Sequence, residues 1–596
     1  KNIWGDKLMR KSLGDYIVDR TESLNDELVK EYFIDRMDNK ISRLLDSEQY
    51  LLEGSRGIGK TMLMRQAELE SDNNFGKSSI LTVWISFEES LRIDRIKIVD
   101  NSTDPFLQWT MGKILNEVLK KIIKLKPKYL DKLNSRLSNI FGDKSDFDYS
   151  YYSKILNEYI EVLEKAEIND NRDLTDKVPS KKLLDILDNP TSFRSFLLKL
   201  IDDFELKRLV LLFDEAAHVF SLNQQEKFFT FFKTLRNPKI ACKASVYPGI
   251  TNYGKTFERN QDAKELKINW SMREKEDIKY IKRILKKRIQ NYNLDYWNLL
   301  TRDSEIIDTI CVCSNGNPRF AFHIIDELQN KNLFQRKNIS NRDLLNCIRT
   351  VVSTKWKEFE TLSRRLVKYK DYIIKAENFL KGIVIPNLRK WNKRKRADNR
   401  KLSAGFYIQT SAYEEISKLF DILAYSNFIN VNYSKKSLGH DKYGYYISLN
   451  PSLMFSNLII RNINEIQDIS ISIENNQAYY ETTKEINNLI NKLKVQEEYH
   501  CSNNKCDFVT NDNTFTFCKK CGSKMEITES ESLYKILRSH PIENLSLSNK
   551  IVSRLKKKFI TVGEIYDADL DDIRMKYIQD VRIRKVKNAA IEYMAG

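Results

Sequence analysis

The sequence predicts a multidomain α/β protein: an α/β base, a helical lid, and several smaller modules behind them. Two stretches and the chain length carry this expectation. Apolar Tyr50, Leu51 and Leu52 run into Gly54-Ser55-Arg56-Gly57-Ile58-Gly59-Lys60-Thr61, and Met62, Leu63 and Met64 open the next helix. Further on, Lys207-Arg208-Leu209-Val210-Leu211-Leu212-Phe213 reads as a buried strand that ends in Asp214 and Glu215. At 596 residues the chain exceeds one core, so roughly three to five domains are expected.

The first stretch has the spacing of a P-loop. Its glycines let backbone N–H groups converge on a phosphate, and the helix that follows adds the positive end of its dipole. Residues 54–62 are thus the expected nucleotide cradle, from Gly54, Ser55, Arg56, Gly57, Ile58 and Gly59 through Met62. Lys60 is placed to reach the β- and γ-phosphates of ATP, and Thr61 to ligate Mg²⁺. In the second stretch Asp214 is expected to hold Mg²⁺ through water, and Glu215 to polarise the attacking water.

Composition narrows the setting. The hydrophobic fraction of 41% supports globular folding. The formal net charge of +18 favours an acidic partner, nucleic acid first, although joint enrichment in Lys, Asn and Ile is an alternative source of that charge. No apolar run approaches the ~18 residues of a membrane span. No signal-peptide pattern opens the chain, and eight cysteines in so long a sequence do not suggest a disulfide scaffold. A cytoplasmic protein without membrane contact is expected.

In order along the chain, residues 1–46 read as an N-terminal helical segment and 47–270 as the α/β base, with a helical insertion at 104–200. A fourth strand, Ile240–Tyr247, leads to Thr251 and Asn252, candidates for a γ-phosphate sensor beside the reading of an ordinary turn. Ser271-Met272-Arg273-Glu274 suggests a capping box at the start of a lid, 271–349. Within it, Ser314-Asn315-Gly316-Asn317-Pro318-Arg319 ends one helix and begins the next, which puts Arg319 in a first turn, where it could reach a nucleotide across the cleft, beside the reading of a surface arginine at a helix start.

Together these features resemble the AAA+ ATPases, nearest the origin-recognition-like group, with the STAND signalling NTPases next. The resemblance implies ATP hydrolysis, with Lys60, Asp214 and Glu215 in the roles given above and Arg319 as the lid's sensor arginine. It also implies a homo-oligomer in which a neighbour supplies an arginine finger; Arg259 follows the fourth strand as that pattern suggests, and Arg236 competes for the role.

Residues 350–402 read as a basic helical linker that culminates in Arg389-Lys390-Trp391-Asn392-Lys393-Arg394-Lys395-Arg396, suited to a phosphate backbone or to solvent. Residues 403–480 fit a winged helix: a helix from Tyr413 to Ser426, then two strands around a polar turn, Ser434 to Lys442. A linker helix (481–495) precedes Cys501, Cys506, Cys518 and Cys521 (496–528), whose two knuckles suit a structural Zn²⁺. Cys242, Cys311, Cys313 and Cys347 sit among apolar residues and read as core. Residues 529–596 look like the helix-hairpin-helix module at the C-terminus of the bacterial RNA polymerase α subunit, but Gln579-Asp580-Val581 stands where its hairpin glycines belong.

The functional expectation is an ATP-driven switch that engages nucleic acid, DNA first. Replication initiation, transposition control and antiphage defence all use such machines, and the mosaic of modules favours defence. The alternative is a signalling scaffold whose C-terminal modules bind protein. No effector motif is visible, so a separate effector chain is expected.

Overall fold

Five strands set the frame: β1 (Tyr50–Glu53), β2 (Ile80–Ser86), β3 (Arg208–Asp214), β4 (Ile240–Val246) and β5 (Lys264–Lys267). They form one sheet in the order β2-β3-β4-β1-β5, and every pairing is parallel. The structure is a computed structural model. It describes residues 13–17, 21, 24–36, 38–87, 104–141, 148–165, 180–216, 222–272, 274–365, 370–439, 442–466, 469–470, 499–501, 517–527, 540–545, 549–568, 570–575 and scattered positions between 482 and 593.

A parallel sheet is covered on both faces, so its inner strands are mainly apolar, while the edge strand β5, Lys-Glu-Leu-Lys, buries only Leu266. Leu209, Leu211 and Phe213 of β3 enter one core, while Val210 and Leu212 enter the other with Leu52 and Leu266. Because β4 lies between β1 and β3, its C-terminal end stands between the glycine loop and the two carboxylates. All strand ends of that polarity fall on one edge, the usual place for a ligand in an open α/β sheet.

Helix α1 (Lys60–Ser78) starts straight from the loop and packs on β2. The segment expected as an insertion is helical, beginning with α2 (Pro105–Leu125), followed by helices 130–141, 149–165, 181–187 and 190–203. It is tied to α1 by charge as well as by apolar packing. Lys121 lies between Glu68 at 2.7 Å and Asp72 at 2.8 Å, all three nearly buried. Burial pushes the Glu68 carboxyl up, against the pull of Lys121. Removing one partner of such a group strands the others in a poor solvent.

The lid comprises α3 (Lys275–Tyr292), two short helices (294–302 and 304–313) and α4 (Pro318–Asn330). The expected capping box does not form. Glu274 is the N-cap residue without a side-chain bond to the helix, and the Ser271 N–H donates to Asp277 at 2.8 Å instead.

Helix α5 (Asn341–Arg365) runs through position 349, so the boundary expected there falls inside a helix. After a π-helical turn, α6 (Ile385–Ala397) carries the cation cluster. Next come β6 (Leu402–Ser403), β7 (Gly405–Gln409), a short helix (410–415), α7 (Ser417–Tyr425), β8 (Ile429–Gly439) and β9 (Lys442–Leu449). Two expectations are corrected here. The helix from Tyr413 to Ser426 is broken at Ile416, which leaves helical geometry at φ −128°. The polar turn Ser434–Lys442 is mostly ladder: Lys436 pairs with Gly444, and Ser437 with Tyr443. The side chains of Ser434, Lys435, Lys436 and Ser437 are exposed, so this part of the strand reads as a loop in sequence.

Residues 542–590 hold a separate apolar core, with Thr561 and Glu564 closing a capping box. The linker helix expected at 481–495 lies outside the described residues apart from 482, 484 and 486, and the hairpin Gln579–Val581 lies wholly outside them.

Gly405 is the tightest point of the antiparallel sheet. A Cβ there would stand 1.9 Å from the Ile447 carbonyl oxygen. Gly405→Ala is therefore expected to cost the C-terminal sheet ~2–3 kcal/mol. Gly382→Ala, where the new methyl meets nothing within 4 Å, should stay within ~1 kcal/mol. Hydrogen exchange across β7 and β9 in the two variants reads the difference.

Candidate nucleotide site

The glycine loop is strained in a way only glycine tolerates. Gly57 has φ +83° and Gly59, the N-cap of α1, has φ +98°. The backbone thus curls around the start of α1, where its N–H groups lack helical partners. Lys60, 5% exposed, folds back into this curl. Its ammonium donates to the Gly54 carbonyl at 2.7 Å and the Ser55 carbonyl at 3.1 Å. It also lies 3.8 Å from the centre of the Tyr247 ring. Burial lowers its pKa to about 8, against the opposing pull of Glu215 and Asp214.

The two carboxylates arrive from β3. Asp214, 1% exposed, accepts the Ser245 hydroxyl at 2.7 Å and the Trp84 indole N–H at 3.4 Å. Glu215 takes φ +63°, a left-handed conformation that costs a non-glycine residue roughly 1–3 kcal/mol. Its N–H donates to Asp214 and to Ser245 Oγ, both at 3.1 Å. Its carboxylate accepts the Tyr247 hydroxyl at 3.2 and 3.3 Å. The turn out of β3 is held by these bonds in spite of its strain.

The lid meets the loop through Asn317. Its side-chain oxygen accepts the Phe320 N–H at 3.2 Å and caps α4, while its amide donates to the Arg56 carbonyl at 2.9 Å. A Cβ on Gly57 would strike that amide at 2.6 Å. The loop glycine is thus required twice, by its own φ and by the lid.

Between base and lid opens a cleft. Residues 56–61, Glu215, Tyr247 and Arg319 line it. So do Phe33, Ile34, Met62, Ile284 and Phe322, an apolar wall suited to a nucleobase, together with the charged Asp35, Arg36, Asp38 and Lys40. Arg288, stacked at 3.5 Å on the Tyr32 ring, stands beside that wall, and burial lowers its pKa to about 10.

The structure thus brings Lys60, Thr61, Glu215 and Arg319 to one cleft, with Asp214 beneath them. Arg259 stands elsewhere: near β5, 39% exposed, it pairs with Glu53 at 2.9 Å and with Glu265. Arg236 donates to the Gln261 carbonyl. Thr251 and Asn252 are spent on the turn. The Thr251 hydroxyl bonds the Tyr247 N–H and carbonyl, and the Asn252 side-chain oxygen accepts the Gly254 N–H at 3.2 Å. The polar groups that β4 actually delivers are Ser245 and Tyr247. Their position in the strand was readable, but their pairing with Asp214 and Glu215 across β3 was not.

A second candidate site is the cysteine cluster. The sulfurs of Cys506, Cys518 and Cys521 lie within 4.8 Å of one another. The Lys520 N–H donates to the Cys518 sulfur at 3.3 Å, and Gly522 makes the knuckle turn at φ +72°. Cys501 ends the strand Tyr499–Cys501; its side chain lies outside the described residues. The donor set fits a thiolate-bound metal. Cys242, Cys311, Cys313 and Cys347 are buried, as expected of core thiols.

No family model matches the chain, and no curated protein matches it. Among solved structures, the Aeropyrum pernix ORC2 protein in its ADPNP–ADP complexes is 12% identical, over 74% of this chain and 92% of that one, with a TM-score of 0.27. The Aeropyrum pernix ORC1 protein in complex with DNA is 10% identical, over 72% and 90%, also with a TM-score of 0.27. Likenesses this low carry no argument, and the site is read from its own atoms.

The protonation of Lys60 gives a test. The ordinary lysine value is 10.5 and the folded one about 8. Between them the unfolded chain binds a proton that the folded chain has released. Burial of Lys60 therefore costs stability below about pH 8, and the cost fades as pH rises through that window. An anion at the loop needs the ammonium, so nucleotide affinity should fall above about pH 8. At pH 8 binding should take up roughly half a proton, which calorimetry in two buffers of different ionisation enthalpy would detect.

Proposed function

We propose that the chain is an ATP-binding and ATP-hydrolysing switch of the AAA+ kind that engages nucleic acid through its C-terminal half. The observation that carries the reading is the convergence, in one cleft between base and lid, of the glycine loop with Lys60, the Asp214–Glu215 pair and Arg319. Lys60 and the start of α1 would hold phosphate. Thr61 and Asp214 would hold Mg²⁺, which when bound neutralises charge on the phosphates. Glu215 would accept a proton from the attacking water, and Arg319 would draw the lid toward the nucleotide.

Roles this different separate on mutation. Lys60→Ala should abolish nucleotide binding, while Glu215→Gln should bind normally and lose turnover by ~100-fold or more. Nucleotide titration beside phosphate release checks both. Ordinary turnover in Glu215→Gln would remove that residue from the chemistry.

The nucleic-acid part rests on surface charge. Helix α6 buries Ile385, Leu388 and Asn392 and leaves Arg389, Lys390, Lys393 and Arg394 exposed. Arg396 is spent internally on Glu465 at 2.7 Å and on the Ile459 carbonyl. The β8–β9 hairpin, the wing of a winged helix in this reading, adds Lys435, Lys436 and two half-exposed tyrosines, Tyr433 and Tyr443. Replacing the four exposed α6 cations with Gln should weaken DNA binding and flatten its log K against log[salt] slope by roughly 3, with ATP binding unchanged. Filter binding over a salt series measures the slope. An unchanged slope would favour the signalling-scaffold reading.

In the same proposal Cys501 joins Cys506, Cys518 and Cys521 on a structural Zn²⁺, since four closed thiolate ligands leave no position for catalysis. A homo-oligomer with Arg259 as trans finger needs that residue released from Glu53 and Glu265. Its engagement within its own chain is what supports the second reading, in which the site is self-contained and the nucleotide controls only assembly.

A further inference from the structure

Tyr247 touches more of the site than any other side chain that β4 and its tip supply. It is 2% exposed. One face of its ring takes the Lys60 ammonium at 3.8 Å, and its hydroxyl donates to both oxygens of Glu215. On its far side the ring meets Tyr425 of α7 at 5.2 Å, edge to face. Two residues on, Gly249 has φ +69°, and Asp421 of α7 fills the space of its missing Cβ, 2.0 Å from where that atom would stand. Lys418 of the same helix donates to the Gly249 carbonyl at 2.5 Å. The strand tip 247–249 is thus held by the phosphate site on one side and by the C-terminal unit on the other.

We infer that Tyr247 is a positioning residue that restrains Glu215 and couples occupancy of the glycine loop to the seating of α7. This rests on the nucleotide reading above. Lys60 cannot serve a phosphate while it serves the Gly54 and Ser55 carbonyls and the ring. A multiply charged phosphate outcompetes two neutral acceptors and a quadrupole for one ammonium. Glu215 in turn is held in place while both of its oxygens accept the tyrosine hydroxyl. Occupancy therefore withdraws Lys60 from the ring and calls on Glu215, so both of Tyr247's partners within the site change together. Close packing against Tyr425 passes any shift of the ring to α7, since packed interiors move between discrete arrangements rather than deforming freely. The coupling is reciprocal: displacement of α7 would loosen Tyr247 and free Glu215.

The test uses the full chain, Mg²⁺ and a non-hydrolysable ATP analogue, followed by hydrogen exchange. Protection at residues 54–65 with a changed rate at 417–426 is expected in the unmodified protein. Tyr247→Leu should keep the first response and lose the second. Tyr247→Phe, which keeps the ring and drops the hydroxyl, should keep both and raise kcat by about threefold at unchanged KM, the scale of one long shared hydrogen bond. Protection at 54–65 without any change at 417–426 would overturn the coupling while leaving the nucleotide reading intact. Slower turnover in Tyr247→Phe would overturn the restraint. Absence of protection at 54–65 would refute the nucleotide reading itself, and the coupling with it.

Discussion

A buried ammonium at the start of a helix is the constraint around which the base is arranged. Lys60 adds a full charge to the positive end of α1, in a place almost closed to water. Burial of an unpaired cation there is not sustainable. The chain answers with two carbonyls from the loop, the face of Tyr247, and the carboxylates of Asp214 and Glu215 across the cleft. Those carboxylates repel one another and need donors of their own, which Ser245, Trp84 and Tyr247 supply. Strand order follows from the same demand. Only with β4 between β1 and β3 can its residues serve the loop on one side and the acidic turn on the other.

The lid and the C-terminal unit attach close to this centre. Asn317 spends its amide on the Arg56 carbonyl, so the lid is bonded to the loop it covers. Two residues earlier, Asn315 bonds Asn427 and Asn430, and the Lys355 ammonium reaches the Asn427 carbonyl at 3.0 Å. Loop, lid and C-terminal unit are therefore joined by consecutive residues of one segment, Asn315 to Asn317. A change at the glycine loop has a short route to the sheet β7-β9-β8, through hydrogen bonds at either end of this segment, in addition to the packed route through Tyr247.

Legibility of the sequence followed the range of the interactions. The glycine loop, Lys60 and the Asp214–Glu215 pair were readable because each is a run of neighbours whose types declare their chemistry. The strands were readable from their apolar runs, since burial on both faces leaves that mark. Ser245 and Tyr247 were missed because their role exists only across strands: nothing near them in the chain announces Asp214 or Glu215. Thr251 and Asn252 were plausible by position, but a tight turn consumes such residues in backbone bonds. The capping box at Ser271 failed for a related reason, since Asp277 took the N–H of Ser271 and the helix began later. The end of β8 was taken for part of a turn because exposed strands carry no alternation to read.

The two arginines show how environment divides residues of one type. Arg319 stands at the cleft, where its charge lowers the proton affinity of Lys60 and opposes the two carboxylates that raise it. With Lys60 it sets two cations against the two carboxylates of Asp214 and Glu215. Arg259 instead shares Glu53 and Glu265 with Lys267, which lies 3.8 Å from the first and 3.1 Å from the second. The group is partly exposed, so each pair is worth little. Were Arg259 to leave, Lys267 would still lie within reach of both carboxylates, so neither would lose its last cation. Glu53 is also the residue before the glycine loop, so a departing Arg259 would change the charge felt at the mouth of the loop in its own subunit. An arginine lent to a neighbour would thus leave a trace at home, and the redundancy of Lys267 keeps that loan inexpensive in free energy.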